Sequence, residues 1–262
     1  MKITLGFSPC PNDTFIFAAM VNGWMDTHGL SFDVHMEDVE TLNEMADKEI
    51  LDITKLSFHK ALYLEERYLL LQSGAALGMG CGPLLIARKH LDPDEINNGK
   101  IALPGQWTTA HLLFKVFFPH AQQKEFHLFS TIEDLVLSGQ VDAGVIIHEN
   151  RFTYEAKGLV KVVDLGEAWE TETGLPIPLG GIFSSVRLDQ ATRSLIETLI
   201  RESIQYAHAH PEQVMEYVRC YSKEMEESVM MSHIALYVNA FSLDLGSEGR
   251  QSVSFLKNYL RA

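Results

Sequence analysis

The sequence predicts a two-lobed α/β protein, built from one discontinuous domain with a second domain inserted into it. Three observations carry this prediction. Strand and helix signals alternate over the first two thirds of the 262 residues, the pattern of α/β units with largely parallel pairing. Two composition breaks, GAALGMGCGP at 74–83 and GLPIPLGG at 174–181, enclose a stretch close to the usual size of a domain, about a hundred residues. Beyond Leu188 the pattern turns wholly helical. The first lobe is therefore read as residues 1–85 and 185–262, and the second as 86–184. The two crossing segments act as hinges, a ligand cleft lies between the lobes, and the helical C-terminal segment packs on the first lobe.

The elements follow in order. Lys2 to Phe7 (KITLGF) is a short apolar strand that runs through Ser8-Pro9-Cys10-Pro11-Asn12-Asp13-Thr14 into a helix over 13–22. Asn12, Asp13 and Thr14 are residue types that favour helix caps. The prolines at 9 and 11 stiffen the approach, because each fixes φ and removes a donor. Such a junction directs backbone N–H groups and the positive end of a helix dipole at one point. Ser8, Asn12 and Asp13 thereby become candidate residues for binding an anion. Apolar and β-branched runs predict strands at 31–36, 51–54, 68–72, 84–87, 100–103, 126–129, 143–147, 160–163 and 182–186,. Helical patterns fall between them at 39–47, 58–66, 109–117, 132–138 and 165–169. Ser130-x-x-Glu133 reads as a capping box before Leu135-Val136-Leu137.

In the tail, Leu195, Leu199, Ile204 and Ala207 keep near-helical spacing, and Pro211 opens another helix at a tolerated first-turn position. Two more helices are expected over 227–241 and 249–260. Met230, Met231, Tyr237 and Phe241 read as core, and Glu167, Glu170 and Glu172 as a solvated face.

Composition narrows the function. Hydrophobic content of 46% and charged content of 21% are those of a globular protein,. A net charge of −14, with no basic stripe to neutralise phosphates, argues against a nucleic-acid partner. A small anionic ligand is compatible with it, since local donors hold a carboxylate even on an acidic protein. Cys10, Cys81 and Cys220 lie far apart with no metal-type spacing, so reduced thiols in a reducing compartment are expected. Cys10 and Cys81 sit in Pro/Gly-rich loops, which leaves a reactive role open for either. The apolar run after Met1-Lys2 is too short for a secretory leader, and no run approaches a bilayer span. The expected location is the cytoplasm, with no membrane partner. Nothing in the sequence fixes an oligomeric state.

His148 is the foremost chemical candidate. It ends the run Gly144-Val145-Ile146-Ile147, and in α/β sheets ligands gather outside the carboxyl ends of strands. A histidine there suits general-base work at neutral pH; a histidine packed under a loop would occupy the same place. Lys55, Leu56 and Ser57 follow the strand at 51–54, with Ser57 as a helix cap and Lys55 as either a cation for an anionic ligand or a solvated charge. After the strand at 100–103 come Gly105, Gln106, Trp107, Thr108 and Thr109. Glycine permits close backbone approach, and threonines at a helix start offer hydroxyls beside unpaired N–H groups. Trp107 would wall an aromatic ligand or shield the hinge. His59, His111, His208 and His210 lie at helix starts, in a helix or at helix ends. None of them makes an i,i+4 pair with glutamate of the kind that suggests a zincin site, so no metal site is expected. Gly78, Gly80 and Gly82 precede a strand rather than a helix, the wrong context for a phosphate loop.

GFSPCPNDTFIFAAM, DITKLSFHKAL, GMGCGPLLIAR, LPGQWTTAHLL and GVIIHENRFTY together resemble the 1,4-dihydroxy-6-naphthoate synthases of the futalosine route to menaquinone, over nearly the whole chain. The resemblance implies the type II periplasmic-binding-protein fold, in agreement with the two lobes read above. It also implies a cofactor-free lyase that converts cyclic dehypoxanthinyl futalosine to 1,4-dihydroxy-6-naphthoate with loss of the sugar-derived fragment. On that resemblance His148 matches the catalytic proton acceptor, and Lys55, Leu56, Ser57, Thr108 and Thr109 match substrate-binding segments. Chorismate dehydratase, of the same pathway and fold, and a non-catalytic small-carboxylate-binding protein are the alternatives. A ligand-sensing module is a further one, and it would bind without turnover.

Overall fold

The computed structural model describes residues 1–222 and 226–259. The chain divides into two compact units, Met1–Gly78 with Pro178–Ala262, and Met79–Ile177. These changeovers fall earlier than 85/86 and 184/185: the strand at Leu84–Ala87 pairs wholly within the second unit, and residues 180–185 pair with strands of the first.

The first unit opens with β1 (Lys2–Phe7), α1 (Pro11–Val21), β2 (Ser31–Met36), α2 (Val39–Asp47), β3 (Ile53–Ser57), α3 (Phe58–Ala61), β4 (Tyr68–Leu70) and β5 (Ala76–Gly78). The second carries β6 (Leu84–Ala87), α4 (Pro93–Asn98), β7 (Lys100–Leu103), α5 (Thr109–Phe117), β8 (Gln123–Phe126), α6 (Ile132–Leu137), β9 (Ala143–Ile146), β10 (Val160–Asp164) and α7 (Leu165–Thr173). The chain returns through β11 (Ile177–Ser185) to α8 (Gln190–Ala209), α9 (Pro211–Tyr221), α10 (Glu227–Tyr237), α11 (Ala240–Leu243) and α12 (Gly246–Tyr259).

In the first unit the strands run β2-β1-β3-β11-β4, with β5 also paired to β11. β1 is parallel to β2 and β3, whereas β11 is antiparallel to β3 and β4. The sheet is mixed rather than largely parallel because the returning strand enters it from the other end. α1 is buried all round from Pro11 to Met20, polar in its first turn at Asn12, Asp13 and Thr14 and apolar from Phe15 onward, as expected of a helix enclosed by other elements. Phe15, Ile16 and Phe17 share a core with Ile3, Leu5 and Phe7 of β1 and with Ile196, Leu199, Ile204, Val214 and Met230 of the C-terminal helices.

The second unit's sheet has the order β10-β6-β9-β7-β8. β7 is parallel to β8 and β9, and β6 is antiparallel to β9 and β10. Gly82 and Gly166 abut so closely that a Cβ on Gly82 would lie 2.2 Å from Gly166 Cα, so no larger residue fits there without moving backbone.

Several expectations are corrected. β3 is Ile53–Ser57, not 51–54, because its pairing with β11 runs from Ile53 opposite Ser184 to Ser57 opposite Gly180. Lys55, Leu56 and Ser57 therefore belong to the strand. The helix after Ser57 is one turn, not nine residues. The strand expected at 126–129 lies at Gln123–Phe126 beside β7, and Phe129–Thr131 is a 3-10 turn. α6 has no side-chain cap from Thr131, and no Ser130–Glu133 box forms, since Glu133 is engaged elsewhere. The helix over 227–241 is interrupted at Val238 and restarts at Asn239, which caps α11 with Ser242. Met231 is exposed rather than core. Two elements went unread, β5 and α4. The second carried a signal, Asp92-Pro93-Asp94-Glu95, which forms a capping box,. The last residue of the helix expected at 249–260 lies outside the described residues. Among the described residues, no helix is long and apolar enough to cross a membrane.

Candidate active site

The first unit gathers Ser8, Asn12, Asp13 and Lys55 around one carboxylate. α1 begins at Pro11, two residues earlier than expected, and its cap is the Cys10 carbonyl, which accepts from the N–H groups of Asp13 and Thr14. Pro11 has no N–H to satisfy at that position. Asp13 therefore projects from the first turn of the helix instead of capping it. Its Oδ2 accepts from Ser8 N–H at 3.2 Å and Ser8 Oγ at 2.7 Å, and its Oδ1 accepts from Asn12 Nδ2 at 2.8 Å and Lys55 Nζ at 2.9 Å. Lys55 also reaches Gly74 O at 3.5 Å. Its charge is thus paired and buried, not solvated. Gly180 makes room for it, since a Cβ there would come 3.3 Å from Lys55 Cε and 2.9 Å from Leu56 O. A carboxylate holding four donors at the start of a helix fixes Ser8 and Lys55 in place.

Ser57 lies two residues along β3, on the same face as Lys55. Its N–H donates to Asn43 Oδ1 at 3.2 Å, its Oγ accepts from Asn43 Nδ2 at 3.2 Å, and it caps α3 by accepting from Lys60 N–H at 3.3 Å. Leu56 points the other way, and its side chain is fully buried, so only its backbone is available to a ligand. Asn43 and His233 were missed in the sequence. Asn43 stands beside Leu42 and Ala46 on the buried side of α2, and an asparagine among buried apolar neighbours is a readable signal of a polar partner. His233 has no local signal. It is wholly buried on α10 and donates from Nε2 to Asn12 Oδ1 at 2.9 Å, 221 residues away. That bond fixes which way the Asn12 amide faces, and hence its donor on Asp13.

In the second unit, Thr108 caps α5. Its Oγ1 accepts from His111 N–H at 3.2 Å and donates to Gly105 O at 3.0 Å. Thr109 is the first helical residue and is buried. His111 Nδ1–H donates to Gln106 O at 2.7 Å, tying the loop to the helix, while its ring meets Phe126 edge-on at 5.0 Å. Burial holds the His111 imidazole below the ordinary histidine range, so it stays neutral at pH 7 and this corner's donors are uncharged hydroxyl and N–H groups.

His148 follows β9 directly. Ile147 is extended, and His148 opens a 3-10 turn, His148–Phe152, with φ of +57°. Its ring lies edge-on to Phe129 at 5.1 Å. Left-handed backbone on a non-glycine residue is a strained state that clusters at functional positions. Arg151 of the same turn pairs with Asp164 Oδ2 at 2.8 Å and donates to Gly82 O.

Two other expectations change. Burial, reinforced by Glu170, pushes the Cys81 thiol up to about 12, which removes it as a nucleophile at neutral pH. Glu167 and Glu172 are exposed as expected, whereas Glu170 is half-buried: it accepts from Gly80 N–H at 2.6 Å, and burial raises its carboxyl above the usual range.

A family model described as Menaquinone biosynthesis matches residues 3–262. The chain is 44% identical over 254 residues to the 1,4-dihydroxy-6-naphtoate synthase of Thermus thermophilus, covering 97% of this chain and 92% of that one. The crystal structure of protein AF1704 from Archaeoglobus fulgidus is similar with a TM-score of 0.94 and 31% identity, over 99% of this chain and 97% of that one. The alkanesulfonate-binding protein SsuA from Xanthomonas axonopodis pv. citri, bound to MOPS, gives a TM-score of 0.69 at 12% identity, over 90% of this chain and 84% of that one. The fold is of the periplasmic-binding-protein type, and at such identity that last likeness speaks of fold alone.

Proposed function

The chain belongs to the menaquinone-biosynthesis family, and on that premise we propose that it is a carbon–carbon lyase of the futalosine route, converting cyclic dehypoxanthinyl futalosine to 1,4-dihydroxy-6-naphthoate. The observation that carries the assignment of roles is His148, held in a left-handed turn at the carboxyl end of β9. His148 is the proton acceptor. It removes one proton from the substrate; the electron pair left behind forms a new double bond as the bond to the sugar-derived fragment breaks, the pair of the broken bond is held as an enolate that takes back the proton from His148, and aromatisation of the ring system supplies the driving force. Lys55, Leu56 (through its backbone) and Ser57 bind substrate, as do Thr108 and Thr109; their donors suit a carboxylate and developing enolate charge. Ser8, Asn12 and Asp13 serve the same binding role chiefly by holding Lys55. The protein acts in the cytoplasm on a small anionic substrate, and its net charge of −14 disfavours nucleic acid as a partner.

The test is incubation of purified protein separately with cyclic dehypoxanthinyl futalosine and with chorismate, followed by mass spectrometry. The naphthoate product from the first and no change in the second is expected. Dehydration of chorismate, or binding of either compound without turnover, overturns the reading. A folded His148→Asn variant that keeps near-normal turnover overturns the role of His148.

A further inference from the structure

Glu133 holds a buried position that proton abstraction does not by itself require. It lies in the first turn of α6 with 1% exposure. Its Oε2 accepts from Asn150 Nδ2 and from Lys157 Nζ, the latter at 2.7 Å, while its Oε1 is buried with no hydrogen-bond partner. A buried carboxylate that leaves half its accepting capacity unused is a poor stabiliser compared with an apolar side chain of similar volume. Its place here has a structural correlate, because Asn150 is the middle residue of the turn that His148 opens.

Asn150 ties the backbone of the His148 turn to α6 through Glu133. Phe129, in the 3-10 turn that leads directly into α6, meets the His148 ring edge-on at 5.1 Å. Ring and backbone of the same histidine are thus referenced to one short stretch, Phe129 to Glu133. The residue after Asn150, Arg151, fastens the same turn to Asp164 and Gly82 O. A left-handed non-glycine residue costs about 1–3 kcal/mol and persists only where its surroundings over-determine it, and these two fastenings follow it within three residues.

We propose that Glu133 is a positioning residue for His148, acting through Asn150 to hold the turn in its left-handed form. This rests on His148 being the proton acceptor. Misplacement of a reacting group by about 1 Å can lower a rate by about a hundredfold, so the effect falls on kcat rather than on substrate binding.

The test compares Glu133→Ala, Glu133→Gln and Asn150→Ala, with Lys157→Ala as a control and His148→Asn in parallel, using cyclic dehypoxanthinyl futalosine. Glu133→Ala and Asn150→Ala are expected to lower kcat at least about tenfold with KM within about threefold, the signature of a loss confined to the transition state. Glu133→Gln keeps an acceptor oxygen for Asn150 and should keep kcat within about threefold of the unaltered protein, as should Lys157→Ala, which leaves the Asn150 bond in place. Hydrogen exchange read by mass spectrometry should speed up over residues 147–153 in the two alanine variants, with or without substrate. Folded alanine variants with near-normal kcat, or with unchanged exchange over that segment, overturn the proposal. Should Glu133→Ala fail to fold, Asn150→Ala leaves α6 intact and decides by the same readings. An inactive His148→Asn beside a fully active Asn150→Ala overturns the positioning role alone. An active His148→Asn overturns the proton-acceptor reading instead, and the exchange measurement still judges the fastening.

Discussion

Lys55 Nζ lies 2.9 Å from Asp13 Oδ1, with 7% and 2% of the two side chains exposed. The pair joins the first turn of α1 to the middle of β3, 42 residues apart. Asp13 also holds Ser8 and Asn12, so its loss would release one buried cation and two polar groups at once.

Removing one partner of such a pair leaves an uncompensated buried charge, which typically destabilises by about 3–5 kcal/mol. Lys55→Ala and Asp13→Ala are each expected to lower stability by about this amount in urea unfolding. The double replacement Asp13→Leu with Lys55→Met should recover much of the loss, because the unpaired charge is gone. Additive losses in the double variant would show that the pair is not a unit.

His148→Gly should move stability and activity in opposite directions. Glycine adopts positive φ without penalty, so relief of the strained backbone should raise stability by about 1 kcal/mol. Turnover should vanish with the imidazole. A less stable His148→Gly variant would mean that His148 contacts outweigh its backbone strain.

Thr108 and Asp38 each cap a helix through the side chain, Thr108 on α5 and Asp38 on α2. Replacing either by alanine should lower stability by about 1 kcal/mol. Only Thr108→Ala should raise KM for cyclic dehypoxanthinyl futalosine. Equal KM values in the two variants would remove Thr108 from the binding site.

Alkaline pH should weaken the fold in a defined window. Tyr68 donates its hydroxyl to Leu51 O at 2.7 Å, and burial pushes its ionisation from 10.0 up to about 12. The folded value exceeds the unfolded one. The contribution is therefore complete below pH 10 and is lost as pH rises toward about 12,. Tyr68→Phe should flatten that part of the stability–pH curve, measured by urea midpoints. Cys81, raised from 9.0 to about 12, adds to the same loss and should resist thiol reagents at pH 8 while exposed Cys220 reacts. Rapid labelling of Cys81 would contradict its burial.

Some of this was legible in sequence because it is local. Hydrophobic period and turn chemistry placed the strands at Ser31–Met36, Leu84–Ala87 and Lys100–Leu103 and the helices at Val39–Asp47 and Thr109–Phe117 at their observed bounds. Ser57 and Thr108 act as the caps their residue types suggested. The position of His148 past the end of a buried strand was likewise readable from the run before it.

What tertiary structure decided is where charge and strain reside. The sequence by itself determined an α/β chain with a helical tail and a histidine beyond a buried strand, since periods of 2 and 3.6 and capping chemistry act over a few residues. It did not determine that Lys55 is neutralised by Asp13, that His233 orients Asn12 across 221 residues, or that Glu133 abandons its expected capping role for Asn150. Nor did it contain the left-handed φ of His148. A buried polar group takes whichever partner the packed fold brings within hydrogen-bond distance, and that choice is made by the low dielectric of the interior rather than by neighbours in the chain.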